Sequence, residues 1–170
     1  ITIRNVDVSW IGGAIWSGKT RLGNAIQIWD NASDILIENN TVSEVLDAAF
    51  TVQGTHRALP ENIIFRNNIA DKVAYCYEYF EDDTISANHS FDHNTCYDVG
   101  DDWATRTSQR YAQTSKPKCF RLGNVVGVST EISFTNNICH VNKNYLLTTM
   151  TAFNGWQGNN NLTIDYNLYT

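Results

Sequence analysis

The chain has 170 residues, a formal net charge of −6 and a pI near 5.0. That length suits one domain with a hydrophobic core, and an acidic balance lacks the basic stripe that nucleic-acid binding calls for. No apolar run reaches membrane-spanning length, so the reading has no nucleic-acid partner and no membrane insertion.

The chain opens on ITIRNVDV, whose alternation predicts a half-buried strand. After Val8 comes the insertion WIGGAIWSGKTRLGN, with glycines for turns and Trp10, Trp16, Lys19 and Arg21. Strand character resumes at Ala25-Ile26-Gln27-Ile28, and Asp30 to Ile35 makes a tight connection. Ile35 to Gly54, ILIENNTVSEVLDAAFTVQG, is the clearest unit. It holds an alternating run (Ile35, Ile37), the pair Asn39-Asn40, a second beat (Val42, Val45) and a third run (Phe50, Val52). These predict three short strands with two bends. The apolar phase slips by one inside the Asn pair, as a left-handed residue there would make it do. Ile63 to Phe80 repeats the unit and runs into the acidic loop EDDTISAN. His89 opens another unit, which makes the longest excursion, Asp101 to Lys118, before CFRLGN returns to strand. Ile132 opens a fifth unit and Leu162 the first strand of a sixth.

ITIRNVDV, ILIENNTV, IIFRNNIA, HSFDHNTC, ISFTNNIC and LTIDYNLY lie in one register, with Val6, Asn40, Asn68, Asn94, Asn137 and Asn167 in the bend column. Constant rungs with loops of unequal length are the mark of a solenoid. Stacked Asn side chains can then hydrogen-bond along the axis and satisfy polar groups inside the bend. Arg4, Glu38, Arg66, Asp92, Thr135 and Asp165 form an outward column. On rungs about 4.8 Å apart this column reads as a solvated ion-pair ladder.

The repeat IxIxNN, followed by a short strand, a variable loop and a third strand, resembles the pectate-lyase-like superfamily over nearly the whole chain. The resemblance implies an all-β, right-handed, single-stranded parallel β-helix with an Asn ladder, and the repeats themselves read as about five to six coils with uncapped ends. On that reading residues 1–170 are a single β-helix segment, continued by the same β-helix at one or both ends. The implied setting is extracellular or on the cell surface, and the implied partner is a polysaccharide.

The cysteines fall in two columns, Cys96 with Cys139 and Cys76 with Cys119. Same-column pairs on adjacent rungs are either disulfides or small residues packed in stacks. The reading favours reduced packing for Cys96 and Cys139 and leaves Cys76 and Cys119 open. No CxxC or zinc-ligand spacing is present. His89 replaces an inward Ile and His93 a ladder Asn, so both read as structural.

Loop lengths point to a binding face. Asn39–Ala49 and Asn67–Cys76 are short, whereas Asn5–Ala25 and His93–Cys119 on either side are long. This profile predicts a trough across the third strands, walled by the insertion and the excursion. In the superfamily this face commonly forms the saccharide groove. Alternation puts Gln27, Thr51, Glu78 and Arg121 outward on its floor, with Trp29, Gln53 and Phe80 beside them. Asp47 and Tyr75 lie at the loop-to-strand corner. The walls offer Trp16, Lys19, Trp103, Arg106, Arg110 and Tyr111. Aromatic faces with carboxylates, amides and guanidinium groups suit a hydroxyl-rich ligand.

Glycoside hydrolysis needs two carboxylates, and Glu78 and Asp47 are the best-placed pair. Arg121 beside Glu78 would favour its carboxylate form, leaving Asp47 as the acid. A lyase acting on uronates would instead use Arg121 with Lys72, and calcium on Glu81, Asp82 and Asp83. Gly100-Asp101-Asp102 is similar to the Gly-Asp-Asp of polygalacturonases, but that family's Asn-Thr-Asp, Gly-His-Gly and Arg-Ile-Lys motifs are absent. The expectation is a glycoside hydrolase ahead of a polysaccharide lyase. A non-catalytic adhesive or shaft-like solenoid is the rival from another class.

Overall fold

The structure, a computed structural model, describes residues 1–12, 23–54, 60–81, 87–101, 118–123, 125–126, 131–141, 156–157 and 162–170. The described residues form no helix and are all β, with strands paired in parallel. Two sheets recur along the chain. The first takes one strand from every repeat: β1 (Thr2–Arg4), β4 (Ser33–Glu38), β6 (Glu61–Arg66), β8 (Ala87–Asp92), β12 (Ile132–Thr135) and β15 (Leu162–Asp165), neighbours in that order. Its register never slips on the inward column, where Ile3, Ile37, Phe65, Phe91, Phe134 and Ile164 are successive partners. The expected stack of six first strands is therefore present.

The second sheet runs β2 (Asp7–Ile11), β5 (Thr41–Gly54), β7 (Ile69–Glu81), β9 (Thr95–Val99), β13 (Ile138–Val141) and β16 (Leu168–Tyr169). Onto its far side pair β3 (Ile26–Ile28) with β5 and β10 (Lys118–Gly123) with β7. A small separate pair joins β11 (Val125–Val126) to β14 (Trp156–Gln157). The second and third strands expected in the Ile35 and Ile63 units are thus continuous, as β5 and β7. Their corner is still marked, by left-handed Glu44 and Lys72 and by a register shift between Val45 and Ala48.

The bend between the two sheets divides its task between two residues. Asn5, Asn39, Asn67, His93, Asn136 and Tyr166 take the left-handed backbone, with φ from 52° to 56°. The Asn that follows turns inward in the four middle repeats, where Asn40, Asn68, Asn94 and Asn137 are buried. Asn40 donates through Nδ2 to Asn68 Oδ1 at 3.0 Å, Asn68 to Asn94 at 2.9 Å, Asn94 to Asn137 at 3.2 Å and Asn137 to Asn167 at 2.9 Å. The same amides also donate to the carbonyls of Ile3, Ile37, Phe65 and Phe91. These carbonyls belong to the last inward residue of each first-sheet strand, so the ladder ties the bend to the strand before it. A second, exposed ladder was not read from the sequence. Asn88 donates to Asn62 at 3.1 Å and Asn62 to Asp34 at 3.0 Å, all three with left-handed backbone.

Between the sheets lies an aromatic column. Phe65, Tyr77, Phe91, Phe120 and Phe134 are buried, with ring centroids 4.6 Å apart for Phe120 and Phe134 and 5.0 Å for Tyr77 and Phe91. Such tilted and edge contacts add about 0.5–1.5 kcal/mol each beyond the area they bury. On the outward face Arg66 pairs with Glu38 at 2.8 Å, as the alternating charge column predicts.

The cysteines correct the expectation of same-column partners or reduced packing. The bridges are Cys76–Cys96 and Cys119–Cys139, each with Cα atoms 6.0 Å apart. Cys96 and Cys139 are indeed in-register neighbours on β9 and β13. In-register neighbours on parallel strands point their side chains side by side, however, and a disulfide needs Cβ vectors that converge. Convergence comes from two inward strands that meet across a corner, here β7 with β9 and β10 with β13.

Candidate functional site

A cavity of about 570 Å³ opens over the edge formed by β3, β5, β7 and β10. Gly23 and Asn24 lie at one side of it, Gln27 and Trp29 come from β3 and the residue after it, and Asp47 and Gln53 from β5. Glu78 and Arg121 complete it from β7 and β10. The order across the floor is set by register: Gln27 pairs with Thr51, Thr51 with Glu78 and Glu78 with Arg121. That is the column the alternation predicts. Gly23 has a local reason to be glycine, because a Cβ there would meet Gly12 Cα at 2.7 Å. The two feet of the insertion therefore touch through bare backbone.

Glu78 is only 2% exposed, so it is not half of a solvated surface pair, as the sequence allowed. Its Oε1 accepts from Arg121 Nη1, and its Oε2 accepts from Gln53 Nε2 at 3.2 Å. The Arg121 guanidinium lies over the Tyr75 ring, 5.2 Å from its centroid, which fixes its plane by a cation–π contact. Burial pushes the Glu78 carboxyl above the usual carboxylate range, and the Asp47 charge pushes it further. Arg121 and the hydrogen bonds from Gln53 and Arg121 act the other way without cancelling the rise. This corrects the expectation that Arg121 makes Glu78 the carboxylate and leaves the acid role to Asp47. Desolvation disfavours the charged form more than one partly exposed guanidinium restores it.

Six of the expected site residues come together: Glu78, Asp47, Arg121, Gln27, Trp29 and Gln53. Trp29 is 47% exposed, enough to offer a ring face, while Asp47 is buried. Thr51 and Tyr75 were expected to face a ligand and do not. Both are fully buried, Thr51 within the floor and Tyr75 in a small cluster with Ala48 and Ala74. Their register positions are as expected, but Thr51 lies between the paired strands β3 and β7 and the Arg121 guanidinium lies over the Tyr75 ring. Trp16, Trp103, Arg106 and Tyr111, with Lys19 and Arg110, lie outside the described residues. So do Asp82, Asp83 and the side chain of Glu81, the acidic set assigned to calcium. Among the described residues no group of three His, Cys, Asp or Glu side chains is placed to hold a metal ion.

Asn24 is the participant the sequence reading missed. Its Oδ1 accepts from the Ala48 backbone N–H at 3.1 Å, and its Nδ2 reaches Gln27 Oε1 at 3.5 Å. An Asn two residues ahead of β3, able to cap a neighbouring backbone N–H, was the available signal. The chain matches no protein-family model, no curated protein and no solved structure.

Proposed function

We propose that this chain forms a right-handed parallel β-helix whose β3–β10 edge binds an extracellular polysaccharide and hydrolyses it. Parallel strands joined by crossovers are right-handed in nearly all proteins, which supports the hand. The observation that carries the activity is the pairing of Asp47 with a buried Glu78, whose carboxyl burial shifts toward its protonated form, in a cavity bordered by the open Trp29 ring. A carboxyl whose hold on its proton is strengthened by burial, with a second carboxyl in the same cavity, is an arrangement suited to glycoside hydrolysis.

In this reading Glu78 gives its proton to the departing glycosidic oxygen as the C–O bond breaks. Asp47 supports the positive charge at the sugar carbon and activates the group that replaces the leaving sugar. Trp29 stacks on a sugar face. Arg121 keeps the Glu78 carboxyl in place, and the proton that Asp47 takes from the attacking water returns to Glu78 through solvent before the next turnover.

The test is a screen of plant, algal and bacterial polysaccharides with the wild-type chain, Glu78→Gln and Asp47→Asn. Turnover should fall about 10²–10⁴-fold in each variant, the usual loss on removing a general acid or base. Equal turnover in all three proteins would remove both residues from the mechanism. Binding without turnover would favour a non-catalytic saccharide-binding solenoid. That second reading is supported by the ties of Glu78 to Gln53 and Arg121, which would also serve a purely structural ladder.

A further inference from the structure

The amides beside Glu78 form a chain with one direction. Ala48 N–H donates to Asn24 Oδ1 at 3.1 Å, Asn24 Nδ2 to Gln27 Oε1 at 3.5 Å, and Gln27 Nε2 to Gln53 Oε1 at 3.0 Å. Gln53 Nε2 then donates to Glu78 Oε2 at 3.2 Å. Every donor points toward Glu78. The two ends fix this polarity independently. A backbone N–H can only donate, so it turns the Asn24 oxygen toward itself and the Asn24 amide away. A Glu78 oxygen that carries no proton can only accept, so Oε2 turns the Gln53 amide toward itself. Gln27, between them, has one orientation that satisfies both neighbours.

We infer that Asn24, Gln27 and Gln53 are positioning residues whose amide chain, anchored at the Ala48 N–H, holds Glu78 as a hydrogen-bond acceptor and confines where its proton can sit. This rests on the reading of Glu78 as the acid of the proposed hydrolysis. A proton on the Oε2 lone pair that faces Gln53 would make Glu78 a donor there, and all three amides would have to turn over. The last of them would then present N–H to the Ala48 N–H, two donors face to face inside a partly buried network. That arrangement leaves both groups unsatisfied. Arg121 blocks the equivalent direction at Oε1, since a guanidinium has no acceptor. The proton of Glu78 is left to the lone pair on each oxygen that faces neither Gln53 nor Arg121. The chain therefore aims the acid and also tempers it, because a hydrogen bond to the charged form favours that form.

The experiment is a ¹³C-detected titration of the Glu78 side-chain carboxyl in the ligand-free protein, so no substrate is needed. Wild type is compared with Gln53→Leu, Gln53→Met and Asn24→Ala, with Thr51→Val as a control that changes a buried neighbour outside the chain. The Gln53 variants should raise the Glu78 midpoint by about half a pH unit to one unit. Asn24→Ala, three links away, should raise it by less, and Thr51→Val should leave it in place. Backbone amide shifts of Asn40, Asn68 and Asn94 report whether each variant keeps its fold. Should Gln53→Leu lose that signature, the exposed Gln27→Ala breaks the same chain and takes its place. An unmoved midpoint in the folded Gln53 or Gln27 variants overturns the inference, as does an equal shift in Thr51→Val. The screen of polysaccharides stands apart from this result. Shifted midpoints with no turnover sink the hydrolase and keep the chain, and turnover with unmoved midpoints does the reverse.

Discussion

At Asn67 the backbone sits at φ 54° with the side chain exposed, while at Asn68 the side chain is buried and makes four hydrogen bonds. The first residue serves the turn and the second satisfies the interior. Asn67→Gly should then change stability by less than about 1 kcal/mol, because glycine adopts positive φ without strain. Asn68→Ala removes the buried acceptor of the Asn40 N–H and of one Asn40 amide hydrogen, and a buried donor to the Ile37 carbonyl. At about 1–3 kcal/mol for each unsatisfied group, partly relieved by water, its expected cost is about 3–5 kcal/mol. Urea unfolding of the two variants checks the contrast, and equal losses would refute the division of tasks. The ladder was legible because an Asn pair and a one-residue phase slip are local in sequence. The charge state of Glu78 was not legible. Alternation places Glu78 beside Arg121, but the burial that outweighs Arg121 depends on Gln53, Gln27 and Asp47 closing around it.

Strand β8 carries a different kind of misfit. Its first inward position is His89, in register with Ile63 and Ile132, buried and 5.7 Å from the Tyr79 ring. Burial lowers its pKa from 6.5 to about 4, against a hydrogen bond to the Pro60 backbone that raises it. The unfolded chain therefore binds a proton between pH 6.5 and about 4 that the folded chain refuses, and stability falls as pH drops through that window. The full loss is about 3 kcal/mol. His89→Phe should flatten stability between pH 7 and pH 4.5 in denaturant titrations, and a wild-type curve already flat there would refute the account. Asp92, on the same strand, titrates below this range. Hydrogen bonds from Thr135, His93 and Asn136 hold it low despite the upward push of burial, so its contribution is lost only in stronger acid. The inward placement of His89 was readable from alternation alone. The disulfide partners were not. Sequence columns place residues along a sheet, whereas each disulfide here crosses a corner within the second sheet, from β7 to β9 and from β10 to β13.

Over the whole molecule, contacts run from each repeat to the next, so the order of repeats along the sequence is also their order in space. The Asn ladder crosses five repeats in this way, from Asn40 to Asn167. The two disulfides also join neighbouring repeats, and their spans do not overlap: one closes residues 76–96, the other 119–139. Considered only as a path of covalent bonds, the chain has three windows around them. A single cut between Cys76 and Cys96, or between Cys119 and Cys139, leaves one covalent body. A single cut after Arg106 or Arg110 falls between the spans and yields two bodies with no covalent tie. Pairing by column, Cys76 with Cys119 and Cys96 with Cys139, would have bridged every bond from 77 to 138. A protein nicked once at Arg106 and run unreduced in detergent should therefore separate into two bands. One band would mean the column pairing after all. In native buffer the same nicked protein should stay whole, held across the cut by β7 against β10, β8 against β12 and β9 against β13.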